Sequence, residues 1–280
     1  MKSYTSDGLD FPVLDFGPKD GPVVVLLHGF PADANSWVST AETLSATGLR
    51  IIVPFQRGYV ATARPSKISA YRLKKLGADI VELLNSLQCE RAHIVGHDWG
   101  GGVGWFLADQ HSSRVASLTA VSTPHPRALA RTLLTSKQVL LSWYLLFFQL
   151  PALPEWLLTR RRGQLGRAWL RKLGLEEDTA AAYAAKFAED RGLFTGALNW
   201  YRALPLDAAY GIRAGSIQVP TLYVWGKKDL AVGEKAAQMT GRWVAGKYSF
   251  KPLEGVTHWI PEQHPTLIAE LILRHIETTS

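Results

Sequence analysis

The sequence predicts an α/β fold, with a mostly parallel central sheet flanked by helices and interrupted once by a helical insertion. Three observations carry this reading. Short runs rich in Val, Ile and Leu alternate with stretches of helical periodicity in both terminal parts of the chain, which is the sequence form of βαβ units. The alternation stops between about residues 125 and 210, where Ala, Leu, Trp and Arg are abundant and no good strand candidate occurs. It then resumes, so one core encloses the insertion and the two do not follow in series.

Residues 23–27, Val-Val-Val-Leu-Leu, form the first clear strand, because an unbroken apolar run of that length suits a parallel strand covered on both faces. Residues 36–46 read as a helix and 50–54 as a strand. Residues 71–87 are helical, with Leu, Ile and Val recurring at three- and four-residue spacing. A strand at 92–95, a helix at 99–110 and a strand at 115–121 follow. Beyond the insertion come a strand at 220–225, a helix at 234–244, a strand at 248–252 and a closing helix at 265–276. The expected division is a core of residues 1–124 and 211–280 carrying a helical cap of residues 125–210.

Composition narrows the function classes. The 280 residues are 47% apolar and 20% charged, enough for a sizeable core and too apolar for a disordered chain. Cys89 is the only cysteine, so no disulfide scaffold is possible. The net charge of +7 includes one basic stretch at 160–172, but no nucleic-acid motif accompanies it. Glu176, Glu177 and Asp178 follow closely, and the stretch reads as a solvated helical face. The apolar run at 139–158 is broken by Pro151, Pro154 and Glu155, which favours a buried helix or a pocket wall over a membrane span. Membrane-surface contact and homodimerisation stay open. No secretory address is visible at the N-terminus, so the cytoplasm is the expected location.

The chemistry concentrates in four motifs. Gly96-His97-Asp98-Trp99-Gly100 joins a strand to a helix, with glycines flanking a central residue at two-residue offsets, the pattern of a nucleophile elbow. Asp98 occupies the position usually held by Ser. His28-Gly29-Phe30-Pro31 follows the first strand at its carboxyl end, so the backbone N–H groups of Phe30 and Trp99 are expected to form an oxyanion hole. Asp229 lies just after the strand ending at 225, and His258 lies in the loop after the last strand, which preserves the order nucleophile, acid, histidine. Glu254 is the reserve acid. The remaining histidines have no matching position, and their spacing suggests no metal site.

A carboxylate nucleophile attacks without first losing a proton, so the histidine must serve a later step. Attack on an acyl group gives an unfavourable anhydride, whereas attack on a saturated carbon bearing a leaving group gives an ordinary ester that activated water hydrolyses. An epoxide or a carbon–halogen compound is therefore the expected substrate. An opening epoxide needs a proton donor, and the insertion offers Tyr144 and Tyr201, phenols that stay protonated at neutral pH.

The motifs His-Gly-Phe-Pro at 28–31, Gly-His-Asp-Trp-Gly-Gly at 96–101, Asn-Trp-Tyr-Arg at 199–202 and Gly-Val-Thr-His-Trp at 255–259 resemble those of soluble, bacterial-type epoxide hydrolases of the α/β-hydrolase superfamily. The resemblance covers essentially the whole chain. It implies an α/β-hydrolase fold with a cap, Asp98 as nucleophile, His258 and Asp229 as the water-activating pair, and Tyr144 and Tyr201 as ring-opening acids. It also implies a small apolar epoxide and water as partners, with no cofactor and no metal. The expected pocket is lined by His28, Phe30, Pro31, Trp99, Trp143, Phe147, Phe148, Trp200 and Trp259.

Two alternatives remain. Haloalkane dehalogenases share the Asp elbow and the Trp after it, but usually carry Asn where this chain has Phe30, and fluoroacetate dehalogenases usually have Arg where it has Trp99. A non-catalytic ligand receptor is the other, distinguished by binding without turnover. The chain also departs from the resemblance at Phe55-Gln56-Arg57-Gly58-Tyr59-Val60, where family members commonly have an acidic residue before Arg-Gly-Tyr and small residues after it. Phe55 and Val60 are expected to narrow or grease the pocket.

Overall fold

The computed structural model describes residues 1–135 and 141–279. Residues 139 and 140, the start of the apolar run noted above, lie outside them. Eight described strands form one sheet: β1 (Ser3–Ser6), β2 (Leu9–Phe16), β3 (Val23–Leu27), β4 (Arg50–Pro54), β5 (Ala92–His97), β6 (Val115–Val121), β7 (Thr221–Gly226) and β8 (Tyr248–Leu253). Their order is β1-β2-β4-β3-β5-β6-β7-β8, antiparallel from β1 to β4 and parallel from β4 onward.

Strands β1 and β2 were not anticipated. They are joined by Asp7-Gly8, both at positive φ (53° and 73°), the backbone that a tight right-twisting hairpin demands. β2 lies between β1 and β4, and from Phe11 to Leu14 it alternates buried and partly buried positions, as an antiparallel strand covered on one face should.

Helices α1 (Val38–Ser45), α2 (Leu73–Ser86) and α3 (Trp99–Gln110) follow β3, β4 and β5. The helix expected at 36–46 is split, because a 3₁₀ turn at Ala34–Trp37 precedes α1. Between β6 and β7 lie α4 (Pro126–Thr135), α5 (Trp143–Phe147), α6 (Leu153–Lys172), α7 (Glu177–Glu189), α8 (Arg191–Ala203) and α9 (Ala208–Arg213). Beyond β7 come α10 (Glu234–Met239), α11 (Ile260–Gln263) and α12 (Pro265–Glu277). The inserted layer is the predicted helical cap. No described helix is long and apolar enough to cross a membrane.

Apolar clusters cover both sheet faces. One joins α2 and α3 to cap residues such as Phe187, Phe194 and Trp200, and the other packs α1 and α12 on the opposite face. The cap is fixed by polar contacts as well as packing. The Trp200 indole N–H donates to the Arg57 carbonyl at 2.7 Å, Trp259 Nε1 donates to the Leu173 carbonyl at 2.9 Å, and Lys186 pairs with Asp33.

β3 lies between β4 and β5, so the chain reverses its direction of growth across the sheet there. Ligands in open α/β sheets bind at such a switch point, beyond the carboxyl ends of the strands. Leu27 pairs with Gly96 across β3 and β5, which brings His28-Gly29-Phe30 beside Asp98.

Candidate active site

β5 ends at His97 and α3 begins at Trp99, leaving Asp98 to turn the chain. It does so at φ 51° and ψ −121°, a costly conformation for a residue with a side chain. A Cβ on Gly96 would come 2.2 Å from the Gly100 carbonyl oxygen, and one on Gly100 would come 2.2 Å from that of Leu27. Only glycines permit this approach. Although Asp98 stands at the N-cap of α3, its side chain makes no cap hydrogen bond. Instead Oδ1 accepts from the Phe30 backbone N–H at 2.8 Å.

His258 faces Asp98 from the loop after β8. Its Nε2 lies 3.7 Å from Asp98 Oδ2 and its Nδ1 lies 2.8 Å from Asp229 Oδ2. Asp229 Oδ1 accepts from the backbone N–H groups of Ala231 at 2.7 Å and Val232 at 2.9 Å, which orients the other oxygen toward the imidazole. The His258 carbonyl accepts from the Ser122 hydroxyl at 2.9 Å and lies 3.0 Å from His97 Nε2, so the loop is held from two sides. Glu254, the reserve acid, is 80% exposed and pairs with Lys227. It has no contact with His258 among the described residues.

The electrostatics favour an ion pair at rest. Burial by itself lowers the basicity of His258, but the charges and hydrogen bonds of Asp229 and Asp98 outweigh it and push the imidazole up to about 10. Burial raises the Asp98 carboxyl, yet His258 overcomes this and holds it below the usual carboxylate range.

The cavity above Asp98 is lined by Phe30, Tyr144, Trp169, Leu173, Tyr201, Ala231, His258 and Trp259. Tyr144 comes from α5 and Tyr201 from α8, with rings 6.0 Å apart and nearly perpendicular. Burial, and then the negative charge of Asp98, raise both phenols well above their ordinary value. Both therefore remain proton donors at neutral pH. Trp99 opens α3, where a helix leaves its first N–H groups without intrahelical partners. Its ring stacks edge-on against Trp200 at 5.5 Å and Tyr201 at 5.1 Å.

Several expected pocket residues lie elsewhere. Trp143 is 53% exposed, because the five-residue α5 turns Tyr144 inward and Trp143 outward. Phe148 is buried behind the cavity, edge-on to Phe30, Tyr144 and Tyr201, while Phe147 packs on Phe148 and on the outward Trp143. Trp200 sits behind Trp99 and Tyr201. His28 is a buried strut: its Nε2 accepts from the Gln56 N–H at 3.2 Å, and burial pushes it down to about 3. Pro31 lines a neighbouring apolar cavity that shares Phe30 and Trp169 with this one. Phe55 packs against the α1–α12 core and Val60 against the other, and neither lines either described cavity.

Trp169, Leu173 and Ala231 line the site but were missed. Trp169 and Leu173 stand four residues apart within and just beyond the basic stretch, an apolar stripe that the surrounding arginines conceal. Ala231 is only two residues beyond Asp229.

Comparison with known proteins identifies the family. The family profile of the alpha/beta hydrolase fold matches residues 22–265. An AB hydrolase superfamily protein of Bacillus subtilis, YfhM, is 33% identical, the match covering 97% of this chain and 96% of that protein. Epoxide hydrolase 3 of Xenopus tropicalis is 30% identical over 95% of this chain and 74% of its own length. Epoxide hydrolase A from Mycobacterium thermoresistibile, a crystal structure, superposes with a TM-score of 0.84 at 27% identity, covering 99% of this chain and 98% of that one.

Proposed function

The chain belongs to the epoxide hydrolases of the α/β-hydrolase superfamily, and we propose that it converts an apolar epoxide and water into a vicinal diol through an ester on Asp98. The observation that carries this is one cavity onto which an ionised Asp98, an imidazole and two protonated phenols all face.

Asp98 Oδ1 is already held by the Phe30 N–H, so Oδ2 is the attacking oxygen. A bond forms between Oδ2 and one epoxide carbon as the carbon–oxygen bond of the ring breaks. The departing alkoxide takes a proton from Tyr144 or Tyr201. The ester is neutral, so His258 loses the charge of Asp98 that had raised its basicity. It returns its proton to the phenolate and becomes the base that the second step needs.

His258, oriented by Asp229, then takes a proton from water as the oxygen bonds to the ester carbon. Negative charge develops on Oδ1, where the Phe30 N–H already points and the Trp99 N–H is the second donor. Collapse breaks the bond from the carbonyl carbon to Oδ2, the departing alkoxide takes the remaining proton of the added hydroxyl, and the diol leaves with Oδ2 as its new oxygen while Asp98 is restored as a carboxylate. His258 ends protonated, as it began, so the cycle closes with epoxide and water consumed and diol formed.

The Phe30 ring is spent on aromatic packing against Phe148, Phe187 and Tyr201 and offers no side-chain donor for a halide, which favours the epoxide over a haloalkane. Styrene oxide turnover by the native chain and by Asp98→Asn tests the reading. Diol from the first and none from the second is expected; halide release from haloalkanes without diol would overturn it.

A further inference from the structure

On the outer side of the cap, between α5 and α6, the four consecutive residues Leu150, Pro151, Ala152 and Leu153 are all exposed and all apolar. Single exposed leucines are ordinary, but a contiguous apolar loop is not. Leu146, 77% exposed, lies one helical turn before this loop, and Trp156, 48% exposed, lies one turn after its end. The loop is not a loose end that has failed to pack. Arg202 donates to the carbonyls of Phe148 at 3.1 Å and Leu150 at 3.0 Å and pairs with Glu155 at 2.7 Å, which holds both ends of the segment on one guanidinium.

The segment that follows Trp156 in the chain is basic. Arg160 lies over the Trp156 ring at 4.2 Å, and Arg161 and Arg162 follow, each held at positive φ (50° and 55°) where α6 kinks. All three are exposed and have no carboxylate partner among the described residues. Glu155, the only acid between residues 141 and 175, is buried against Arg202 and leaves the arginines unneutralised.

We propose that this face seats on an anionic lipid bilayer, with the Leu150–Leu153 loop and Trp156 entering the interface and Arg160, Arg161 and Arg162 on the headgroups. Apolar residues at a tip with Trp and Arg beside them are what interfacial binding requires. A second copy of the chain fits less well, since a two-fold contact through this face would oppose two sets of three arginines. The placement also bears on the proposed reaction, and in that respect rests on it. The helix that exposes Leu146 outward carries Tyr144 inward, so docking would bring the cavity to the layer in which apolar epoxides dissolve.

Lipid binding is read without substrate, so its outcome is independent of the catalytic reading. The full chain is sedimented with vesicles of phosphatidylcholine alone and of phosphatidylcholine with phosphatidylglycerol, at low salt and at about 0.5 M salt, roughly three times physiological ionic strength, where the Debye length is about half its physiological value. Pelleting with the anionic vesicles at low salt, and release by salt, is expected. Leu150→Gln with Leu153→Gln should abolish it. Arg161→Gln with Arg162→Gln, which leaves the apolar loop intact, should weaken partitioning by about thirtyfold. Native protein that stays in the supernatant with every vesicle would overturn the proposal. So would a dimer in ultracentrifugation that the leucine variant dissociates, because the face would then belong to a second copy.

Discussion

The backbone N–H of Phe30 donates to Asp98 Oδ1 at 2.8 Å, so the two oxygens of this carboxylate differ before any substrate arrives. One is held as the future carbonyl and the other is left toward His258. In His258→Gln, alkylation should proceed and hydrolysis should stop, because glutamine cannot take the proton of water. Intact mass after substrate addition should rise by the mass of one epoxide, with the adduct on the peptide containing Asp98. An unmodified, folded protein would mean that the imidazole is needed for the first step too.

The two half-reactions should depend differently on pH. Asp98 is held ionised below the usual carboxylate range and both phenols ionise well above their ordinary value, so alkylation should be level between about pH 6 and 8. Hydrolysis needs neutral His258, whose value of about 10 at rest falls once the Asp98 charge is gone. Its rate should climb with pH across the same range. Stopped-flow measurement of both phases checks this; a hydrolytic phase that falls with rising pH would contradict it.

Tyr144 and Tyr201 face one cavity with rings 6.0 Å apart, and either phenol is able to serve the opening oxygen. Each single Tyr→Phe change should slow alkylation by about tenfold, and the double change by about a thousandfold, within the usual range for a lost general acid. If one single variant is as slow as the double, only that tyrosine donates.

Acid should destabilise the fold in a defined window. Burial first of all pushes His28 and His97 down to about 3, and His93 and His125 down to about 4. In the unfolded chain each titrates near 6.5 (about). Between these values the unfolded chain binds more protons, so stability complete above about pH 6.5 declines as pH falls, by on the order of 1 kcal/mol per histidine for each pH unit. His258 has the opposite sign: its contribution is complete below about 6.5 and is lost as pH rises through about 10. Urea midpoints should therefore be lower at pH 5 than at pH 7.5.

Much of this was legible in the sequence because the decisive features are local. Gly96-His97-Asp98-Trp99-Gly100 states its own geometry, and the parallel strands announce themselves as short apolar runs. What escaped depends on facing and on edges. The β1–β2 hairpin is half exposed, with Pro12 inside a strand and its clearest signal in the Asp7-Gly8 turn. Trp143 was expected inside and Trp169 on a solvated face, yet the fold reverses them. In a five-residue helix one position decides which side faces the cavity, and no periodicity is long enough to fix it. Trp169 is hidden among arginines, whose solvation says nothing about the opposite side of their helix.

In the proposed reaction Asp98 itself supplies oxygen to the product. A single turnover of styrene oxide in ¹⁸O-water, with enzyme in excess, measures it directly. Unlabelled diol is expected in that first turnover, with the label appearing in the Asp98 carboxylate. Labelled diol in the first turnover would mean that water attacks the epoxide directly and that no ester forms.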